Sequence, residues 1–129
     1  TIRHYMTVSP ETIQADLTLA QARQRMYELA ARHLPVVENG ELVGILSERD
    51  INLAEALEGD LERLSVRRAM TARPFTCGPE AHLHAVAEEM AQHKYGTAIV
   101  VDRQHPGHVV GLFTTVDALW ALARLGAHT

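Results

Sequence analysis

The chain has 129 residues, 47% hydrophobic and 22% charged, which is the length of one compact domain with enough apolar material for a core and excludes a disordered segment. Its net charge of -4 excludes the strongly basic surface of a nucleic-acid coat. The single cysteine, Cys77, excludes an intramolecular disulfide and a cysteine-rich metal site, so a reducing compartment, the cytoplasm, is expected. No apolar run nears the roughly 18 residues that span a bilayer, and no signal peptide is visible, so no membrane association is expected. The chain opens at Thr1 without a methionine, which reads as a trimmed chain or a piece of a longer one.

Residues 12–14 read as a short extended piece, followed by a helix over 18–32 with Leu19, Ala22, Met26, Leu29 and Ala30 at helical spacing. Residues 34–38 and 42–46 are apolar strands. Asn39-Gly40 between them is a hairpin signal, because both residues tolerate positive φ. A helix is expected from Ser47 to about Leu57, stopped near Gly59, and Glu58 to Ser65 is a connector. The same order returns at 76–78, 82–94, 97–102, 109–113 and 115–124, with Arg103-Gln104-His105-Pro106-Gly107 replacing the tight turn.

This recurrence is an internal repeat. Met6-Thr7 matches Met70-Thr71 at an offset of 64 residues, as do Arg3 with Arg67, Pro10 with Pro74, Leu19 with Leu83 and Met26 with Met90. Ser65-Val66-Arg67-Arg68-Ala69-Met70 likewise repeats the opening Thr1-Ile2-Arg3-His4-Tyr5-Met6. From Gly44 and Asp50, matched by Gly111 and Asp117, the offset is 67. The repeat divides the chain into 1–64 and 65–129. Each copy is a β-α-β-β-α unit, whose helices cover one face of a small sheet and leave the other bare. Two such units bury those faces sheet to sheet, giving an α+β pair with a pseudo-two-fold axis.

Gly44-x-x-Ser47-x-x-Asp50 and Gly111-x-x-Thr114-x-x-Asp117 carry the chemistry. A carboxylate only accepts, so it suits the two vicinal hydroxyl donors of a ribose. The following helix N-terminus favours a nearby phosphate. A glycine in the strand permits close approach of a ligand or of another backbone. Ser-x-x-Asp and Thr-x-x-Asp are also patterns that merely start helices, and either motif alone favours that reading.

Met-Thr…Pro-x-Thr, Leu34-Pro35-Val36-Val37-Glu38 and Leu42-Val43-Gly44-Ile45-Leu46-Ser47-Glu48-Arg49-Asp50 together resemble a cystathionine-β-synthase (CBS) domain pair. The second copy offers Ala98-Ile99-Val100-Val101-Asp102 and Val109-Val110-Gly111-Leu112-Phe113-Thr114-Thr115-Val116-Asp117. The resemblance covers essentially the whole chain. It implies a regulatory module binding AMP, ADP, ATP or S-adenosylmethionine in clefts between the two units. One cleft would use Thr114 and Asp117 with Thr12, Ile13, Gln14, Ala31 and Arg32. The other would use Ser47 and Asp50 with Thr76, Cys77, Gly78, Tyr95 and Gly96. His33, Lys94 and Arg49 are its phosphate-binding candidates. The positions matching Arg32 and His33 are the uncharged Gly96 and Thr97, so the clefts are unequal and the Asp50 cleft better suits a phosphorylated ligand.

The eight histidines read as surface residues. His105 and His108 share a loop and can approach each other, but no zinc set is complete. No nucleophile elbow, zinc-protease helix, Gly-x-Gly-x-x-Gly or Walker loop is present, so neither catalysis nor a required cofactor is expected. Cys77 reads as a small buried hydrophobe lining the Asp50 cleft. Leu119, Trp120, Leu122 and Leu125 stripe the last helix, either as core or, by the resemblance, as part of a homodimer surface made by helices. The rival readings are a structural dimerisation module with empty clefts and a sensor of an NAD-type dinucleotide.

Overall fold

The structure, a computed structural model, describes Thr1–Gly126. It is α+β: two four-stranded sheets and their helices, in two compact units. One unit is Glu11–Pro74 and the other is Thr1–Pro10 together with the chain from Phe75 on.

The Glu11–Pro74 unit holds β2 (Ile13–Gln14), α1 (Leu19–Leu29), β3 (His33–Glu38), β4 (Glu41–Ser47), α2 (Glu48–Glu58), the single turn α3 (Val66–Ala69) and β5 (Thr71–Ala72). Its sheet runs β2-β3-β4-β5, with β2 parallel to β3 and the remaining pairs antiparallel. The other unit holds a 3-10 turn (Ile2–His4), β1 (Thr7–Val8), β6 (Thr76–Cys77), α4 (Leu83–His93), β7 (Thr97–Val101), β8 (Val109–Thr114) and α5 (Thr115–Gly126). Its sheet runs β1-β8-β7-β6 with the same pattern of directions.

The first core gathers Leu19, Ala22 and Met26 of α1, Ile51 of α2, and Ile13, Leu34, Val36 and Leu46 of the sheet. Leu34 and Val36 alternate on one sheet face, and Leu19, Ala22 and Met26 fall on one helix face, so the two periodicities meet. Each such fully buried aliphatic side chain contributes about 1.5–3 kcal/mol. The second core repeats the plan with Val86 and Met90 of α4 against Ala98, Val100 and Phe113, sealed by Ile2.

Asn39 and Gly40 both take positive φ, 52° and 78°, as the hairpin signal implies. The helix over 18–32 is shorter than its periodicity. It stops at Leu29 because Ala30 turns left-handed, φ 52°, and Ala31 N–H closes back on the Met26 carbonyl at 2.9 Å. The next residues are committed elsewhere, with Arg32's carbonyl accepting from Glu48 N–H and His33 starting β3 opposite Ser47. Lys94, φ 59°, ends α4 in the same way.

The sequence repeat and the compact units are cut differently. The opening segment of each copy pairs with the last strand of the other copy: β1 lies antiparallel on β8, and β5 on β4. This exchange settles what the two strand glycines are for. A Cβ on Gly44 would lie 2.7 Å from the Thr71 carbonyl oxygen and 2.8 Å from Met70 Sδ, and a Cβ on Gly111 would strike the Met6 side chain. The close neighbour at each glycine is a neighbouring stretch of the chain.

Candidate functional site

β4 ends at Ser47 and α2 begins at Glu48, and the junction is a closed capping box. Ser47 N–H donates to Asp50 Oδ2 at 2.9 Å, and Asp50 N–H donates to Ser47 Oγ at 3.1 Å. β8 and α5 meet in the same way: Thr114 N–H donates to Asp117 Oδ2 at 2.9 Å and Asp117 N–H to Thr114 Oγ1 at 3.3 Å. Thr114 Oγ1 also donates to Asp117 Oδ2, at 3.2 Å. Both motifs therefore start helices, which is the plainer of the two readings of their sequence. Capping uses one carboxylate oxygen. Among the described residues Oδ1 of Asp50 and Oδ1 of Asp117 have no hydrogen-bond partner, so each half-buried carboxylate keeps an oxygen with both lone pairs for an outside donor.

The start of the preceding strand sits beside each cap. His33 lies directly opposite Ser47 across β3–β4, and Glu48 N–H donates to the Arg32 carbonyl at 2.9 Å. Thr97 lies opposite Thr114, and Thr115 N–H donates to the Gly96 carbonyl at 3.1 Å. Residues directly opposite in a sheet point to the same face. Burial pushes the half-buried His33 imidazole below its usual range, against the pull of Asp50, and Arg32 adds to the lowering. Thr97 is buried, and its Oγ1 has no hydrogen-bond partner. Sequence reading notes Thr97 only as uncharged. Its position opposite Thr114 shows it to be a polar group in need of a partner.

The expected groupings draw on both compact units. Ser47 and Asp50 belong to one unit and Thr76, Cys77, Gly78, Tyr95 and Gly96 to the other, and the Thr114–Asp117 grouping is divided likewise. Within their own unit, Arg32 and His33 are tied to the Ser47–Asp50 turn, and Gly96 to the Thr114–Asp117 turn. The Arg32 side chain lines a groove between α1 and α2 with Tyr27 and Glu48, whereas Asp50 lines a different hollow with Leu53, Leu57 and Arg68. Among the described residues Arg32, Arg49 and Lys94 make no ion pair. Thr12 and Gln14 flank Ile13, whose side chain is spent in the core and whose backbone pairs with Val36 of β3.

Tyr95 is stacked on both Phe75, with centroids 5.1 Å apart, and His93, 5.2 Å apart. The Cys77 thiol, half-buried against the second core, is pushed up to about 11 by burial. That agrees with its reading as a small hydrophobe. His105 and His108 do stack, with centroids 5.0 Å apart, and among the described residues no group of three or more His, Cys, Asp and Glu is placed to hold a metal. No helix among the described residues is long and apolar enough to cross a membrane.

The CBS domain family model matches residues 2–56 and 66–124, and the chain belongs to that family as a tandem CBS pair. It is 35% identical over 119 residues to the inosine-5'-monophosphate dehydrogenase of Korarchaeum cryptofilum, covering 92% of this chain and 22% of that protein's length. The chain thus spans under a quarter of that relative. The CBS domain pair of protein MJ0100, solved in complex with 5-methylthioadenosine and S-adenosyl-L-methionine, superposes with a TM-score of 0.83 at 25% identity, covering 98% of this chain and 95% of that one. CBSX2, solved in complex with AMP, shares the fold at a TM-score of 0.80 and 21% identity, covering 98% of each chain.

Proposed function

We propose that the chain is a ligand-sensing regulatory module that binds an adenosine-containing ligand, with the Asp50 and Asp117 carboxylates taking ribose hydroxyls. AMP, ADP, ATP and S-adenosylmethionine are the ligand class. The observation that carries this reading is the unpartnered Oδ1 on each carboxylate: the cap fixes the group in place and leaves an acceptor open beside a helix N-terminus. The adenosyl compounds bound to MJ0100 support it. Regulation follows if the ligand favours one conformation over another, since only unequal affinity shifts a population.

Calorimetric titration with AMP, ATP, S-adenosylmethionine and NAD tests it, using Asp50→Asn, Asp117→Asn and the double variant. Asparagine keeps an acceptor for the cap and removes the charge. Losing a charge-assisted hydrogen bond of about 1.5–3 kcal/mol weakens binding roughly tenfold to a hundredfold. If the double variant binds as the parent does, the carboxylates do not hold the ligand.

One observation favours a second role alongside the first. On α5, Leu119, Trp120, Leu122 and Leu125 are exposed, and Ala118 and Ala121 face the core in their place. An apolar stripe of this kind marks an interaction surface, and a second copy of the chain is the partner we assign to it.

A further inference from the structure

We propose that the loop between β7 and β8 holds a divalent transition-metal ion, of the class of Cu2+, Ni2+ and Zn2+, between the imidazoles of His105 and His108. The site is independent of the ribose reading and lies on a loop that the first copy of the repeat does not have.

β3 and β4 are joined by Asn39 and Gly40 alone, whereas residues 102–108 join β7 to β8. The longer loop is tied to itself. His105 N–H donates to the Asp102 carbonyl at 3.2 Å, His108 N–H to the His105 carbonyl at 2.8 Å, and Asp102 N–H to the His108 carbonyl at 3.1 Å. Gln104 N–H donates to Asp102 Oδ1 at 2.9 Å. Pro106 fixes a further φ between the two histidines. Both histidines are exposed, so the core does not need them, and the bonded loop holds them side by side before any ligand arrives.

Their ring centres lie 5.0 Å apart and their planes 13° apart. Two imidazoles bound to neighbouring positions of one ion, with metal–nitrogen distances of about 2.0–2.1 Å, place their ring centres about 4.5–5.2 Å apart. The separation in the loop is that of a chelating pair. Nearly parallel planes aim the ring nitrogens side by side, and a turn about the soft χ2 bond brings them onto one point.

The chemistry of the pair sets the ion. Neutral imidazole suits copper, nickel and zinc, while Mg2+ and Ca2+ seek oxygen. Among the described residues no third His, Cys, Asp or Glu joins the pair, so two nitrogens bind and water takes the remaining positions. For such a site Cu2+ is the tightest of the three ions. The ion closes the tip of the β7–β8 hairpin. His84 and His93 on α4 each face one glutamate, Glu88 at 3.4 Å and Glu89 at 3.5 Å, and offer one nitrogen each.

The test titrates the chelator-stripped chain with Cu2+, Zn2+ and Mg2+ by calorimetry, and follows the histidine ring signals by NMR. His105→Ala, His108→Ala and the double variant are compared with His84→Ala and His93→Ala, and melting curves confirm that each is folded. The parent is expected to bind Cu2+ more tightly than Zn2+ and to ignore Mg2+, with the His105 and His108 signals broadened first by Cu2+. Each single loop variant should weaken binding by on the order of tenfold or more, since one nitrogen remains, and the α4 variants should leave it unchanged. Affinity that survives in the double variant, or that falls equally in the α4 variants, overturns the proposal. So does a chain that binds neither Cu2+ nor Zn2+.

Discussion

Thr114 and Asp117 hold each other in both directions. The hydroxyl donates to Asp117 Oδ2 at 3.2 Å and accepts from the Asp117 backbone N–H at 3.3 Å, so its proton is committed inside the cap. Ser47 accepts from Asp50 N–H in the same way, at 3.1 Å, but its hydroxyl proton is not given to Asp50. Removing either hydroxyl opens a capping box. Ser47→Ala and Thr114→Ala should each cost about 1 kcal/mol in denaturant unfolding, and Thr114→Ser should keep most of its cap. Unchanged midpoints in both alanine variants would show that the boxes do not hold these helices.

The two strand glycines should respond unequally to alanine. At Gly44 the new methyl meets the Thr71 carbonyl at 2.7 Å, a backbone atom fixed by the β4–β5 pairing. At Gly111 it meets only the flexible Met6 side chain, which can move aside. Gly44→Ala is expected to destabilise by about 1–3 kcal/mol and Gly111→Ala by less. The same unfolding measurement ranks them, and an equal or reversed order contradicts the contact geometry.

Cys77 should be a slow thiol. With its ionisation pushed up to about 11 from 9.0, roughly one molecule in a thousand carries the thiolate at pH 8, against about one in ten for an ordinary thiol. Alkylation of the native chain at pH 8 should run about a hundredfold slower than that of the unfolded chain. Comparable rates would place the thiol in water.

His33 also makes stability depend on pH. Its imidazole is held below 6.5 in the fold, so between that lowered midpoint and 6.5 the unfolded chain binds the extra proton. The contribution of neutral His33 is fully present above pH 6.5 and is lost as pH falls through the lowered midpoint. Melting temperature should drop on acidification below pH 6.5, and less so in His33→Gln. Parallel curves for the two proteins would show that His33 titrates alike in both states.

The α5 stripe predicts self-association. Leu119 and Trp120 are 64% and 62% exposed, so Trp120→Glu is tolerated by the fold and burdens only an interface. Sedimentation should find a dimer for the parent chain and a monomer for the variant. A parent chain that stays monomeric at high concentration removes the assigned partner.

Much of the local structure is written in short stretches of sequence. Asn39-Gly40 fixes the hairpin because its backbone needs two positive φ values, and Ser47-x-x-Asp50 and Thr114-x-x-Asp117 each carry both halves of a cap. The end of α1 was less legible, since Ala30 turns left-handed with no glycine to announce it. The α5 stripe was ambiguous for another reason. Helical spacing puts Leu119 and Leu122 on one side of the helix but does not say on which side the core lies, and Ala118 and Ala121 occupy the core side.

The repeat, the β-α-β-β-α order within it and the two acidic turns can all be read from the bare chain, because each rests on periodicity and on contacts only a few residues apart. Folding in three dimensions pairs Thr7–Val8 with β8 and Thr71–Ala72 with β4, bringing Met6 onto Gly111 and Met70 onto Gly44. Two-residue strands are too short to carry a pattern, and a pairing between distant stretches of chain leaves no local trace. The tertiary structure likewise set the state of His33, because the burial that outweighs Asp50 belongs to the folded surroundings and not to the residue.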